Sequence, residues 1–203
     1  MKKILLLFVP LVVAYMAHAQ RFQAGLVGGL NASQVQGDYT QGYHQPGINF
    51  GVYVQTDLSR TVYSGMEIKF SQKGSRKNPS QKTGDQEKYI MRLNYMDIPV
   101  YLGLRSGENV SVLFGLIPGY LVKGIEKNNY GELPPEDRKP FNDFDLEGML
   151  GVRYQISDRM KLQVNLAYSL VPIRDNPGNV MIYWLDSQFN NVLSTCLYYR
   201  FGK

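Results

Sequence analysis

Few residues in this chain could carry catalysis. It has two histidines, and only His44, in the stretch Gly42-Tyr43-His44-Gln45-Pro46, lies beyond the leader described below. Serine–histidine hydrolysis, or a lipid-modifying enzyme built on it, would have to use His44. No recognisable nucleophile motif stands beside it, and a lone loop histidine is expected at the surface. Structural or catalytic zinc takes a full set of nitrogen and sulfur ligands, which His44 and the single cysteine, Cys196, cannot provide. Calcium could draw on Glu132, Glu136, Asp137, Asp143 and Asp145. Their spacing matches no EF-hand, so solvated acids are the expectation. Gly28-Gly29 lies within a strand pattern with no helix after it, so it is not a phosphate-binding loop. No catalytic residue, cofactor or metal is expected.

Two groupings of charge remain. Glu67, Lys69, Asp97, Glu147, Arg153, Lys161 and Arg200 fall on the polar face of alternating segments and carry both signs. If that face is enclosed, they must pair, because an isolated buried ion costs several kcal/mol. If it faces water, they are ordinary surface charges. A second group, Lys73, Arg76, Lys77, Lys82 and Lys88, dominates residues 72–88 over Asp85 and Glu87. Lys and Arg hold phosphate well, so this loop either contacts anionic lipid or is simply solvated. Trp184, beside Tyr183, reads equally as an interfacial anchor or a partner contact.

The elements that must position these residues begin with an export leader. Lys2 and Lys3 precede an apolar run over residues 4–13, broken only by Pro10, and Ala17-His18-Ala19 supplies a small-x-small cleavage site before Gln20. The run is too short for a membrane-spanning helix. Residues 1–19 therefore read as a cleaved signal peptide and 20–203 as one domain. The net charge of +5 falls once Lys2 and Lys3 are removed, which argues against nucleic acid as a partner. One cysteine excludes an internal disulfide, and none follows the cleavage site to carry a lipid anchor.

Period-2 alternation fills the rest. Met160, Leu162, Val164, Leu166, Tyr168 and Leu170 oppose Lys161, Gln163, Asn165, Ala167 and Ser169. Phe189, Leu193, Leu197, Tyr199 and Phe201 oppose Asn190, Ser194, Cys196 and Arg200. Phe144, Leu146, Leu150, Val152 and Tyr154 oppose Asp145, Glu147, Gly151, Arg153 and Gln155, and Val62, Met66, Ile68 and Phe70 oppose Tyr63, Glu67, Lys69 and Ser71. Noisier runs cover 22–31, 48–58, 89–104 and 110–122, the third containing Pro99, where a bulge is expected. The links alternate strictly: long (32–47, 72–88, 123–142, 172–186) and short (57–61, 105–109, 157–159). Eight runs of about 9–11 residues, joined in this way, predict an all-β, eight-stranded antiparallel up-and-down transmembrane β-barrel.

A soluble barrel of opposite polarity would share the periodicity. The polar face decides: Gly25, Gly29, Asn49, Gly51, Ser111, Gly115, Gly119, Ala167 and Ser169 are small, which suits a narrow lumen better than a solvated exterior. Tyr53, Tyr63, Phe70, Tyr89, Tyr95, Tyr101, Tyr120, Tyr154, Tyr168, Tyr198, Tyr199 and Phe201 are available both for interfacial girdles and for the lumen, and periodicity does not sort them. The expected place is a bacterial outer membrane with both termini periplasmic. The expected partners are the lipid bilayer, lipopolysaccharide and other envelope or secretion proteins.

Leu93-Asn94-Tyr95-Met96-Asp97-Ile98-Pro99-Val100-Tyr101-Leu102 resembles the Y-[LM]-[DE]-I-P strand of the PorT-type outer-membrane β-barrel proteins of the Bacteroidetes. Gly65-Met66-Glu67-Ile68-Lys69-Phe70-Ser71-Gln72-Lys73-Gly74 resembles that family's third strand. Phe144-Asp145 with Gly148 and Gly151, and the ending Tyr199–Phe201, fit as well. The resemblance implies an OmpA/OmpX-like barrel and no fixed activity, although the founding member is tied to protein secretion. Three functions follow as expectations. The first is a non-enzymatic barrel, not a general porin, that acts through its loops. The second is an accessory of a secretion apparatus, and the third a lipid-modifying enzyme at His44.

Overall fold

The computed structural model describes residues 22–38, 40, 42–79, 86–134, 136, 138–174 and 187–202. The leader, Lys82, Asp85, Asp137, Tyr183 and Trp184 lie outside the described residues. The strands are β1 (Phe22–Gln36), β2 (Gln45–Asp57), β3 (Val62–Lys77), β4 (Tyr89–Asp97) and β5 (Val100–Ser106), then β6 (Val110–Asn128), β7 (Gly131–Glu132), β8 (Phe144–Gln155), β9 (Met160–Ser169) and β10 (Phe189–Arg200). Each wall strand pairs antiparallel with its sequence neighbour, and β10 returns to β1 from Gly25↔Arg200 to Gln36↔Phe189, which closes the ring. β4 and β5 both lie between β3 and β6 as two halves of one wall strand. β7 only extends a hairpin off β6. The described residues thus form an eight-stranded barrel, and closure leaves no unpaired sheet edge for lipid to solvate.

The break between β4 and β5 falls at Ile98-Pro99, as the proline predicts. The ladder survives it, because Ile98 N–H donates to Pro118 O at 2.8 Å and Glu67 N–H donates to Pro99 O at 2.9 Å. A second irregularity sits where Asn94 and Tyr95 meet Lys123 and Leu121, which leaves Val122 as the extra residue. Links 58–61, 107–109 and 156–159 close one end, where β1 begins and β10 finishes. This is the turn end; the opposite rim is the loop end.

The long links are shorter than the sequence suggests. β1 runs on to Gln36, β3 to Lys77 and β6 to Asn128. Toward the loop end the outer face turns largely polar while Val35, Met91, Leu93 and Ile173 form an apolar cluster inside, so the usual contrast of apolar-out and polar-in fades. The backbone groups still need partners, so the ladder continues.

The polarity is that of a membrane barrel. Leu26, Leu30, Phe50, Val52, Ile68, Phe114, Leu116, Leu150, Val152, Leu166 and Leu197 all point outward, with Leu150 61% and Leu30 67% exposed. Charged and amide side chains point in. A water-soluble barrel inverts this arrangement, so the soluble alternative does not stand.

The tyrosines sort by register. Tyr53, Tyr63, Tyr95, Tyr101 and Tyr198 are buried inside, whereas Tyr120, Tyr154, Tyr168, Tyr199 and Phe201 face outward. Two of the inner rings are received by glycine across the strand pair: Tyr101 opposite Gly65, and Tyr63 opposite Gly103. A Cβ at either glycine would run into the opposing ring. In the last run Phe189 keeps its place on the outer face, opposite Gln36, where it is covered by stacking on Tyr168 with centroids 6.1 Å apart, and Val192 joins the inward set.

Candidate functional site

The interior interlocks polar clusters with buried apolar ones, such as Leu113, Ile117 and Met149 beside Tyr63 and Tyr101. In the turn-end half, Arg153 on β8 projects across the lumen. Its Nε donates to Gln163 Oε1 at 2.9 Å, Nη1 to Gln55 Oε1 at 3.2 Å, and Nη2 to Tyr101 Oη at 2.9 Å and Gln163 Oε1 at 2.6 Å. The guanidinium lies 4.4 Å from the Tyr198 ring centroid and 5.1 Å from that of Tyr101, distances suited to cation–π attraction. Glu67 supplies the charge balance, 3.9 Å from Arg153 and 3.4 Å from Lys69, while accepting Tyr198 O–H at 2.7 Å. Partners from β2, β3, β5, β9 and β10 thus hold one β8 side chain.

Toward the loop end the centre is Lys73, and here the sequence reading needs correction. Lys73 does not belong to the basic loop: it sits on β3, 2% exposed, and points into the lumen. Strand alternation places it on the Glu67–Lys69 face once β3 is seen to continue past Ser71. Its ammonium reaches Asp97 at 3.0 Å and Glu147 at 2.7 Å and lies 4.7 Å from the Tyr95 centroid. Beside it Asp145 accepts from Ser169 Oγ at 3.1 Å and Asn190 Nδ2 at 2.9 Å. Asp145 is therefore part of the plug and not a loop acid. Nearer the rim, Arg174 Nη1 meets both oxygens of Glu126 at 3.0 Å and stacks over Phe141, and Tyr89 hydrogen-bonds the same carboxylate.

Of the seven charges expected in the lumen, Glu67, Lys69, Asp97, Glu147 and Arg153 form the paired network. Lys161 is buried, and among the described residues it donates only to neutral Gln55, at 3.1 Å. Arg200 is half-buried, with no side-chain partner among the described residues. Both line a cavity of about 140 Å³ at the turn end, which Gln23, Arg105, Glu108 and Asp158 also line. Sequence reasoning missed Lys73, Asp145, Glu126 and Arg174. The first two lie on visible inward positions, but Arg174 falls in the expected link 172–186, after the run that ends at Leu170, and nothing local ties it to Glu126.

The remaining residues of the basic loop separate. Lys77 pairs with Glu87 at 2.9 Å, Lys88 is exposed, and Arg76 projects from the outer face of β3. His44 is exposed; its backbone N–H donates to Gly42 O at 2.8 Å, and its imidazole makes no hydrogen bond among the described residues. Of the acids weighed for calcium, Glu132 pairs with Arg138 and Asp143 is exposed, and no metal-holding cluster occurs among the described residues.

A closed wall with an apolar exterior and a polar, side-chain-filled interior defines a transmembrane β-barrel of the small class. The chain belongs to the outer membrane protein beta-barrel domain family, which matches residues 17–175 and places it in the bacterial outer membrane. Among solved structures it is similar to Ail, the attachment invasion locus protein of Yersinia pestis, determined with the heparin analogue sucrose octasulfate. That match has a TM-score of 0.53 and 14% identity, covering 89% of this chain and 99% of Ail. Neisserial surface protein A superposes with a TM-score of 0.52 and 10% identity, over 90% of this chain and 99% of that protein. No curated protein matches the sequence.

Proposed function

We propose that this chain is a non-enzymatic outer-membrane barrel that acts through the surface at its loop end, by binding a partner or stabilising the envelope, and not as a general diffusion pore. The observation that carries this reading is the Arg153 cluster. A guanidinium held by Gln55, Tyr101 and Gln163 and flanked by Tyr198 fills the section that a solute would have to cross. The loop-end cluster of Lys73, Asp97 and Glu147 is a second barrier behind it. β1 begins and β10 finishes at the turn end, and small barrels keep their tight turns in the periplasm, so on this reading the loop end faces the cell exterior. The imidazole of His44, exposed and without a hydrogen-bond partner among the described residues, favours a binding role over lipid modification. Purified full-length protein in planar bilayers is expected to give no large, steady conductance, and an open-channel current would overturn the reading.

A second reading, an accessory role in protein secretion, draws on the PorT-like Asp97-Ile98-Pro99 element. It is no passive strand: Asp97 anchors Lys73, and Pro99 sets the break between the two half-strands. This reading expects a deletion strain to retain exported cargo in the periplasm, and normal secretion would remove it.

A further inference from the structure

The outer faces of β3, β4 and β6 change character together. From the turn end they present Val62, Met66, Ile68 and Phe70 on β3, Met96 on β4, and Val110, Val112, Phe114, Leu116 and Tyr120 on β6. Charge begins only beyond this apolar band, and every charge there is positive: Arg76 on β3, Arg92 on β4, Lys123 and Lys127 on β6. The register sets them side by side. Arg76 is level with Ile90 and Lys127, Arg92 with Gly74 and Ile125, and Lys123 with Asn94. With strands about 4.8 Å apart and a rise of about 3.3 Å per residue, the four Cα positions span roughly 10 by 13 Å, well within the reach of their arms. Gly74 leaves no side chain directly across from Arg92.

Two further facts separate this patch from ordinary surface charge. Among the described residues none of the four side chains has an ion-pair or hydrogen-bond partner, and Arg76 Nε is buried without one. Of the nearby acids, Glu87 pairs with Lys77, Glu132 with Arg138 and Glu126 inward with Arg174, while exposed Asp143, whose backbone oxygen accepts Leu121 N–H, forms no ion pair among the described residues. The patch is also one-sided. Toward the loop end the outward positions on the neighbouring wall strands are uncharged: Gln34 and Gln36 on β1, Pro46 on β2, Asn191 on β10, and Phe144, which ends β8 opposite Tyr120. Solubility alone would spread such cations around the rim.

We infer that this β3–β4–β6 patch is a binding site for the phosphate groups of a phosphorylated glycolipid of the lipid A type in the outer leaflet. The inference rests on the proposed orientation, with the loop end outward. Its place just above the apolar band puts the four cations at headgroup level, and guanidinium and ammonium groups together suit a multiply charged phosphate ligand. The occupant is the headgroup of a lipid neighbour, held while its acyl chains lie against the apolar wall below.

The test uses the full chain in phosphatidylcholine vesicles doped with bis-phosphorylated lipid A, with dephosphorylated lipid A and with free inorganic phosphate as comparison arms. Folding of every variant is checked by gel mobility without boiling. Wild type is expected to retain bis-phosphorylated lipid A, and Arg76→Gln, Arg92→Gln, Lys123→Gln and Lys127→Gln combined to bind it at least about tenfold more weakly, as expected for loss of several charge-assisted contacts. The pair Arg92→Gln and Lys123→Gln serves if the fourfold variant does not fold. Equal binding by wild type and variant, or equal binding of dephosphorylated lipid, overturns the inference, and competition by inorganic phosphate alone would reassign the site to a free anion. Whole-cell thiol labelling of Asn129→Cys tests the orientation separately: labelling only after permeabilisation would refute the outward loop end whatever the vesicles show.

Discussion

Replacing Lys73 by methionine removes one charge and almost no volume, so it isolates the electrostatics of the lumen. The ammonium stands 3.0 Å from Asp97 and 2.7 Å from Glu147, with its side chain 1% exposed. At an effective dielectric constant of about 20, each contact has a gross Coulomb energy of about 5–6 kcal/mol. Desolvating the lysine cancels much of that sum. What survives in Lys73→Met is two carboxylates left buried without their shared counter-ion, and removing one member of a buried cluster costs about 3–5 kcal/mol. Urea titration in lipid vesicles, with the folded fraction read from gel mobility without boiling, measures the loss. A destabilisation below about 1 kcal/mol, the size of an exposed pair, would refute the reasoning. The triple variant Lys73→Met, Asp97→Asn, Glu147→Gln neutralises the whole cluster and is expected to recover most of the lost stability, since a buried ion cluster stabilises little over neutral groups of the same shape.

Other perturbations follow the same geometry. Gly103→Val drives its side chain into the Tyr63 ring and should cost about 1–3 kcal/mol by overpacking, with Tyr63→Ala in the same chain relieving it. Leu150→Arg places a cation on the lipid-facing wall and should cost about 2–4 kcal/mol near mid-membrane, seen as a lower urea midpoint. Asp57→Asn breaks the partly exposed pair with Arg105 at the turn end and should shift stability by less than about 1 kcal/mol in the same titration.

Much of the architecture can be read from alternation and link length. The run from Met160 to Leu170 shows its two faces without help, because each side chain steps to the opposite side of a pleat. Pro99 announces its own irregularity, since it has no N–H to give the ladder. The rims are where the reading falters. Beyond Ser71 and Val122 the outer face is mostly polar, with Ile125 an apolar exception, so the period-2 contrast weakens while β3 and β6 continue. Lys73 therefore looked like a loop cation, and Arg92, Lys123 and Lys127 could not be seen as one surface.

The sequence by itself determined that exported strands alternate, that eight of them are joined in up-and-down order, and that charges of both signs share the polar face. These are properties of neighbours along the chain. Which charges meet was decided only by closure of the barrel. Tyr198 and Glu67 are 131 residues apart, and Lys73 and Glu147 are 74 apart. The register of β10 on β1 and the stagger of the wall bring them to one level. Periodicity assigns a residue to a face, but the height at which it crosses the lumen depends on every strand pairing between it and its partner.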